Sequence, residues 1–480
     1  MRRWLVNHSE PLPLAVALAA GLLNAAQPLD VDLWVQLNNG RYLAEFGRMP
    51  YPDPFSFSAG DTVWTAHEWL PAWGIYQLIA HGGVGFASLV FGEVFAAIWL
   101  VAERALAGAG VKPVWRAAAI GVGAAAMLPF GGIRPLHVGS LCAVAVAALL
   151  LRHRRTGDRS VWWTPVVLLV WANSHASFPI GLGLIGLMAA DAVWRRLHAQ
   201  ERAPNVRTQV RTLGIVGVLS AAMVLVNPSG PRLWAQPFWQ AGNPLRVYNS
   251  DWSAPVLGGG TWWAFVGLCA FTAVILVAGR LRLSAVELGA VVTLLGMGFD
   301  ARKTMALGAA VIPLLLVGPL QALPQLRMPA RLSGWLARGL AALTLTGAAV
   351  TFGAMGPRTL EGPSVSPMPR EARAYLRAQP VARVFNTYHW GAYLTWELWP
   401  GTRTYIDGRF DPFAHGPYET YLAITSLEDG WQASLDDLQA DAVVAEASAP
   451  LAGALAAEPG WRQTFRDGVA AVFVRSERRP

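Results

Sequence analysis

The chain has 480 residues, of which 54% are hydrophobic and only 14% charged, with a formal net charge of +8 and a mean hydropathy of +0.36. A soluble globular chain carries roughly 25% charged residues, so most of this one has no water to face. The positive charge does not signal nucleic acid, because the basic residues sit in short runs between apolar segments, the pattern of loops on one side of a membrane.

Eleven apolar segments follow in order: Leu12–Ala26, Val84–Val101, Ala117–Phe130, His137–Leu151, Val161–Trp171, Phe178–Val193, Leu213–Val226, Thr261–Ala278, Ala285–Phe299, Thr304–Leu320 and Trp335–Phe352. Runs approaching ~20 apolar residues predict a polytopic α-helical membrane protein of about eleven transmembrane helices. Several are shorter than an ideal span, so their ends extend into polar-looking sequence or are shielded by neighbours. Met1-Arg-Arg3 with Leu12–Ala26 also fits a signal peptide with a weak small-residue site at Asn24-Ala-Ala26. A retained first span is the preferred reading, because many more spans follow.

The basic residues set orientation. Arg2 and Arg3, then Arg104, Lys112 and Arg116, then Arg152, Arg154, Arg155 and Arg159, then Arg195, Arg196, Arg202, Arg207 and Arg211, then Arg280 and Arg282, and finally Arg327, Arg331 and Arg338, fall on alternate loops. Eleven crossings put all of these groups in the cytoplasm. The amino terminus is then cytoplasmic and the carboxyl-terminal region lies outside the inner (plasma) membrane. Trp69–Ala80 breaks the alternation if it crosses, so it reads as an interfacial amphipathic helix with Trp69, Trp73 and Tyr76 at headgroup level. Both cysteines, Cys142 and Cys269, lie inside apolar runs and give no disulfide framework.

Between the first two apolar segments lies one polar stretch, residues 28–70. It holds Asp30 and Asp32, Trp34, Glu45, Asp53, His67 and Glu68, with Gly40 and Gly47 reading as helix stops. An acid-bearing loop at the mouth of a membrane bundle is where chemistry becomes feasible. The stretch reads as the catalytic loop of an enzyme working at the outer face. After Phe352, residues 356–369 are rich in Pro, Gly and Ser and read as a linker. Residues 370–480 then alternate short helices (Arg370–Ala378, Trp390–Leu398, near Tyr418–Leu427, Leu451–Ala457) and strands (Val381–Asn386, Thr402–Ile406, Ala442–Ala445, Ala470–Val474). That alternation predicts a small extracytoplasmic α/β domain. The domain division is therefore 1–355, containing the 28–70 loop, then the linker, then 370–480.

Each candidate residue has a plain alternative. Asp30 and Asp32 are equally the solvated start of a helix, where Asp caps well. Arg302 and Lys303, with Arg134 as a second candidate, are either snorkelling cations at helix ends or a clamp for a phosphate leaving group. His175 in Trp171-Ala-Asn-Ser-His175, His137 and His67 have no metal-ligand spacing. A hydrogen-bonded helix-end histidine is the simpler reading of His175. Asn227-Pro-Ser-Gly230 reads as a turn that ends a helix. Asp407-Gly-Arg-Phe-Asp411 reads as a turn with an internal ion pair, while its neighbours Tyr405, Phe410 and Phe413 offer a sugar-stacking surface.

Taken together, the motifs resemble the membrane glycosyltransferases of the GT-C superfold, which share a first extracytoplasmic loop with an essential acid just after the first span. Asp30-Val-Asp32 matches the start of that loop, although Leu33 stands where several relatives carry a second acid. The stretch Asp32-Leu-Trp34, Gly40, Gly47, Pro50, Asp53-Pro-Phe-Ser-Phe57, Trp64 and Glu68-Trp-Leu70 is also similar to a group of bacterial integral membrane proteins. So are Trp171–His175, Asn227–Gly230, Tyr388-His-Trp-Gly391 and Ile406-Asp-Gly-Arg409.

The resemblance implies transfer, with inversion, of a sugar from a polyprenyl-phosphate-linked or polyprenyl-diphosphate-linked donor to an extracytoplasmic glycan, lipid or protein acceptor. Within it, Asp32 is the catalytic base, with Asp30 as the alternative and Asp53 in support. Arg302, Lys303 and Arg134 hold the donor phosphate. Trp34, His67, Glu68, His175, Asp407 and Arg409 meet the acceptor. No cofactor is called for, a divalent cation being left open, and the partners are lipids and substrates rather than nucleic acid. Two other classes compete: a transporter or flippase of lipid-linked precursors, which requires mid-span charges and broken helices, and a non-catalytic scaffold for envelope assembly.

Overall fold

The structure, a computed structural model, describes residues 11–60, 62, 64–197, 204–243, 246, 251–326, 329–354, 359–360, 366–414 and 416–476. Arg2, Arg3, Arg202, Arg327 and most of the 356–369 linker lie outside the described residues.

In chain order the helices are α1 (Pro11–Ala25), α2 (Asp32–Phe46), α3 (Trp69–Gly108), α4 (Pro113–Met127), α5 (Pro135–Thr156), α6 (Thr164–Ala172), α7 (Phe178–Leu197), α8 (Pro204–Val224), α9 (Arg232–Gly242), α10 (Gly260–Ala278), α11 (Ala285–Asp300), α12 (Arg302–Leu315), α13 (Val317–Ala322) and α14 (Ala330–Ala354). They continue into α15 (Arg370–Arg377), β1 (Arg383–Asn386), α16 (Gly391–Leu398), β2 (Arg403–Thr404), α17 (Pro417–Thr425), α18 (Trp431–Asp437), β3 (Ala442–Glu446), α19 (Pro450–Ala457), β4 (Trp461–Arg466) and β5 (Ala470–Arg475). The chain divides into two compact units, Met1–Gln27 with His81–Glu361, and Pro28–Ala80 with Gly362–Pro480. The sequence-based division groups residues 28–70 with the membrane region, whereas the structure gathers residues 28–80 into one unit with the tail.

The first unit is a helical bundle, and each of the eleven apolar segments falls on helix. Five of the described helical stretches are long and apolar enough to cross a membrane unaided: Trp69–Gly108, Pro113–Phe130, Pro135–Thr156, Phe178–Leu197 and Gly260–Ala278. At 1.5 Å per residue the 22 residues of α5 reach about 33 Å, enough for a hydrocarbon core of ~30 Å. The centre of the bundle is α12, buried without interruption from Met305 to Leu314. A helix apolar all round belongs inside, and here it contacts α4, α5 and α11. Small residues set the approach of α1 to α3: a Cβ on Gly21 would lie 2.6 Å from the Gly92 carbonyl, and one on Gly92 would lie 2.7 Å from that of Gly21. Close contact through small residues is how membrane helices gain dispersion contact without a hydrophobic driving force.

The expected separate helix at Trp69–Ala80 is the first part of α3, whose helical geometry breaks at Gly83 (φ 77°). Only glycine enters that region at little steric cost.

In the second unit a five-stranded sheet runs in the order β2-β1-β3-β5-β4. Strands β2, β1 and β3 are parallel, with Val384 opposite Thr404 and Phe385 opposite Val443. Strand β5 returns antiparallel to β3, with Val443 opposite Phe473, and β4 closes the far edge. Its core includes Val384, Phe385, Val443, Val444, Val472 and Phe473, all buried. Two tail elements, α18 and β4, go unpredicted. Trp-Arg-Gln-Thr-Phe-Arg in β4 is a polar edge strand without an apolar run, and α18 has only 7 residues.

Candidate functional site

In the second unit the site is built where α2 begins. Asp30 Oδ1 accepts the Asp32 backbone N–H at 2.9 Å, which ties down one of the donors that a helix start leaves open. Asp30 thus closes the turn leading into α2, whose N-cap position is Val31, and Asp32 opens the first helical turn, where the helix dipole favours a carboxylate. The helix ends at Gly47, in the left-handed region at φ 62°. Gly40, read from sequence as a second stop, is instead an interior residue.

Two contacts place Asp32. A Cβ on Gly408 would lie 3.5 Å from Asp32 Oδ1 and 3.4 Å from Val35 Cγ2, so the loop after β2 passes directly against the acid. Gln36, one turn on and on the same face, donates from Nε2 to Glu68 Oε2 at 2.7 Å. His67 Nε2 lies 3.7 Å from Glu68 Oε1, and its Nδ1 is 3.1 Å from the Thr65 carbonyl. Asp32, Gln36, Glu68 and His67 therefore form a polar patch on the α2 face. Asp32 also stands beside the segment leaving the carboxyl end of a parallel strand, where α/β sheets characteristically bind ligands.

The segment Asp407–Asp411 is held rigidly. Arg409 is 3% exposed at its side chain and binds two carboxylates: Asp53 at 2.6 Å and Asp407 at 2.8 Å. Burial alone would lower the Arg409 pKa, but Asp407 and Asp53 outweigh it and raise it above the ordinary guanidinium value. The guanidinium carbon also lies 5.1 Å from the ring centres of both Phe55 and Trp64. Asp53 further accepts the Phe55 and Ser56 backbone N–H groups and the Ser56 hydroxyl at 2.5 Å. Asp411 Oδ2 accepts the Thr65 N–H at 3.0 Å. Between them Phe410 sits at φ 51°, a conformation that costs a non-glycine residue on the order of 1–3 kcal/mol and persists only where the surroundings enforce it.

These contacts revise several expectations. Asp53, expected in support of the catalytic acid, is a buried partner of Arg409 with both oxygens engaged. Asp407 and Arg409 form the expected ion pair. Tyr405, Phe410 and Phe413 are buried and offer no stacking surface. Trp34 is buried too: its ring centre is 5.0 Å from that of Tyr393, where α2 packs on α16. Beside it, Arg41 stacks 4.4 Å from the Trp396 ring centre and donates to the Trp396 carbonyl at 3.2 Å. The only sign of Arg41 in the sequence is a cation among aromatics.

In the first unit the predicted cations gather around an acid, Asp251, that no local sequence pattern marks. Arg134 precedes α5 and pairs with Asp251 at 3.4 Å. Arg302 and Lys303 open α12, their N–H groups bonded to the carbonyls of Ser253 (3.1 Å) and Asp251 (2.9 Å). Burial pushes the Asp251 carboxyl up, but the charges of Arg134, Lys303 and Arg302 outweigh it and hold it below the usual carboxylate range. Three cations around one carboxylate leave net positive charge at a helix N-terminus, an arrangement suited to an anion.

His175, also in this unit, is buried. Its Nδ1 accepts the Ser177 N–H at 3.2 Å and meets the Ser177 hydroxyl at 2.7 Å. Those contacts hold the ring of His175 just ahead of α7. Asn227 likewise closes its own turn, accepting the Ser229 N–H at 2.8 Å. No group of three metal-ligating side chains converges among the described residues.

Comparison with known proteins bears on the architecture. The chain is similar over 97% of its length to the archaeal oligosaccharyltransferase AglB from Archaeoglobus fulgidus, solved in complex with an inhibitory peptide and a dolichol-phosphate. The TM-score is 0.54 at 11% identity, covering 74% of that chain. The apo form of the Archaeoglobus fulgidus oligosaccharyltransferase matches over 92% of this chain and 70% of its own, with a TM-score of 0.50 at 12% identity. No family model and no curated protein sequence matches the chain. At 11% and 12% identity the likeness shows the fold, which is that of an archaeal oligosaccharyltransferase.

Proposed function

We propose that the protein is a membrane glycosyltransferase that moves a sugar from a polyprenyl-phosphate-linked donor to an acceptor outside the cytoplasm. The observation that carries this reading is the fold likeness over 97% of the chain to an oligosaccharyltransferase solved with a dolichol-phosphate. In the proposed reaction Asp32 takes the proton from an acceptor hydroxyl as its oxygen attacks the anomeric carbon. The bond from that carbon to the phosphate oxygen breaks, the polyprenyl phosphate leaves, and the anomeric configuration inverts. Gln36, Glu68 and His67 would orient the acceptor beside that carboxylate. Arg134, Arg302 and Lys303 are assigned the donor phosphate, on the strength of their excess charge at the start of α12.

The same proposal places the protein in the inner membrane with eleven crossings, a cytoplasmic amino terminus and the tail outside. Labelling of single engineered cysteines tests that orientation, and a tail accessible only from the cytoplasm would overturn it.

The chemical test is Asp32→Asn, which keeps size and removes the charge. Loss of a positioned base slows a reaction by about 10²–10⁴-fold. Mass spectrometry of lipid-linked sugars and surface glycans, in cells carrying either form, should show donor accumulating and the glycan lost while the variant still inserts and folds. Near-normal glycan with Asp32→Asn would remove the residue from the reaction. Unchanged glycans in cells lacking the whole protein would favour the scaffold reading instead.

A further inference from the structure

A cleft in the first unit runs between α5, α7, α11 and α12, lined by apolar side chains such as Leu150, Leu184, Leu187, Ala290 and Leu314. Leu187 is 37% exposed and marks its mouth. One end is charged. Arg154 bonds Glu287 and lies 3.2 Å from Asp191 Oδ2, which also accepts from Arg195 Nε at 3.1 Å. Glu287 Oε2 is engaged by the Ser284 N–H at 2.8 Å in the capping box of α11. Asp191, 1% exposed, keeps Oδ1 without a hydrogen-bond partner. A buried carboxylate oxygen left unmatched is costly, and this one belongs to a residue on the cleft wall.

The surroundings fix the depth of this end. Trp194 on α7 and Trp162 and Trp163 ahead of α6 are exposed, and Arg196 is exposed in the last turn of α7. Exposed tryptophans beside arginines mark the headgroup level of a bilayer. An apolar slot that ends in charge at this level has the shape of a lipid, with acyl chain in the slot and headgroup at the cluster.

We propose that the cleft holds a phospholipid with a primary-amine headgroup, its ammonium donating to Asp191 Oδ1 and its phosphate meeting Arg196. Charge complementarity selects this occupant. Arg154 is already bonded to both carboxylates, so Arg196 is left for the phosphate common to these lipids, and what the cluster itself still lacks is a donor for Asp191 Oδ1. A primary ammonium brings three donors and one positive charge. A choline headgroup brings the charge but no N–H.

The test is native mass spectrometry of the full detergent-solubilised chain, titrated with phosphatidylethanolamine, phosphatidylcholine or phosphatidylglycerol of matched acyl chains. Phosphatidylethanolamine should be retained about tenfold better than phosphatidylcholine, the scale of one hydrogen bond to a charged group, and Asp191→Asn should erase the preference. Ala290→Leu, which narrows the slot and leaves every charge in place, should lose the bound lipid while melting like the parent. Equal retention of the three lipids, preference for phosphatidylglycerol, or a folded Ala290→Leu that still selects phosphatidylethanolamine would each overturn the proposal. If Asp191→Asn does not survive purification, the wild-type comparison and Ala290→Leu decide alone.

Discussion

At the scale of single residues, the Asp53–Arg409–Asp407 network shows how local charge gains its meaning from distant sequence. A buried cation between two carboxylates is stabilised only while all partners remain, because each is desolvated. Arg409→Met leaves two buried acids facing each other. It should lower stability by about 3–5 kcal/mol, measured by thermal or denaturant melting of the full chain. Arg409→Lys keeps the charge but lacks the planar fork that reaches both acids, so it should fall between parent and Arg409→Met. A Met variant within about 0.5 kcal/mol of the parent, the range of ordinary surface changes, would show the network to be dispensable. The predicted pairing of Asp407 with Arg409 rests on their spacing of two residues. Their third partner, Asp53, is not legible in the same way, because it lies 356 residues from Arg409.

Among elements, the packing of α2 decides the geometry around Asp32. A Cβ on Gly40 would lie 2.2 Å from the Ala72 carbonyl oxygen and 2.6 Å from Tyr76 Cβ, so α2 and the first part of α3 touch through a bare backbone. Gly40→Ala must push the helices apart, at a cost of about 1–3 kcal/mol. Gly47→Ala meets nothing within 4 Å and carries only the left-handed penalty of about 1–2 kcal/mol. Gly40→Ala should also reduce the proposed transfer activity, because it displaces the helix that carries Asp32 and Gln36, whereas Gly47→Ala should spare it. Comparing melting temperature and glycan yield for the two variants checks this. Equal loss of activity in both would mean that α2 needs no precise seat. Both glycines look alike as helix stops, since the feature that separates them is a neighbour, not a local pattern.

For the molecule as a whole, the tail from Gly362 onward shares a unit with Pro28–Ala80. Asn38 Nδ2 bonds the Ala392 carbonyl at 2.8 Å, Trp399 Nε1 bonds the Pro54 carbonyl at 2.9 Å, and Ser56 pairs with Thr404 at the edge of β2. Residues 366–476 expressed alone would expose Tyr393, Trp396 and Trp399, which α2 and the following loop cover. Exposed apolar patches of that kind promote association. The isolated tail should therefore be aggregated or poorly ordered in sizing and NMR measurements, and a polypeptide of residues 28–80 added in trans should improve its order. A monomeric, well-dispersed tail on its own would show that the sheet and its helices suffice.

What the sequence determined by itself lies within short windows of chain. The apolar runs placed the bundle helices, although several helices extend beyond them, as where Trp69–Gly108 contains Val84–Val101. The tail's alternation of Val-rich strands with short helices was equally local. An acid pair at the start of α2 needed only three residues, Asp30 to Asp32. Tertiary structure decided which groups meet. It brought Gly408 to Asp32, Asp53 to Arg409, and Asp251 among Arg134, Arg302 and Lys303. It also buried Trp34, Tyr405, Phe410 and Phe413, which look available for substrate when only their neighbours in sequence are visible. The physical reason is that hydrophobic periodicity and capping depend on residues within a few turns. Burial and ion pairing depend on what the rest of the chain places opposite, and one sequence read in windows holds no record of that.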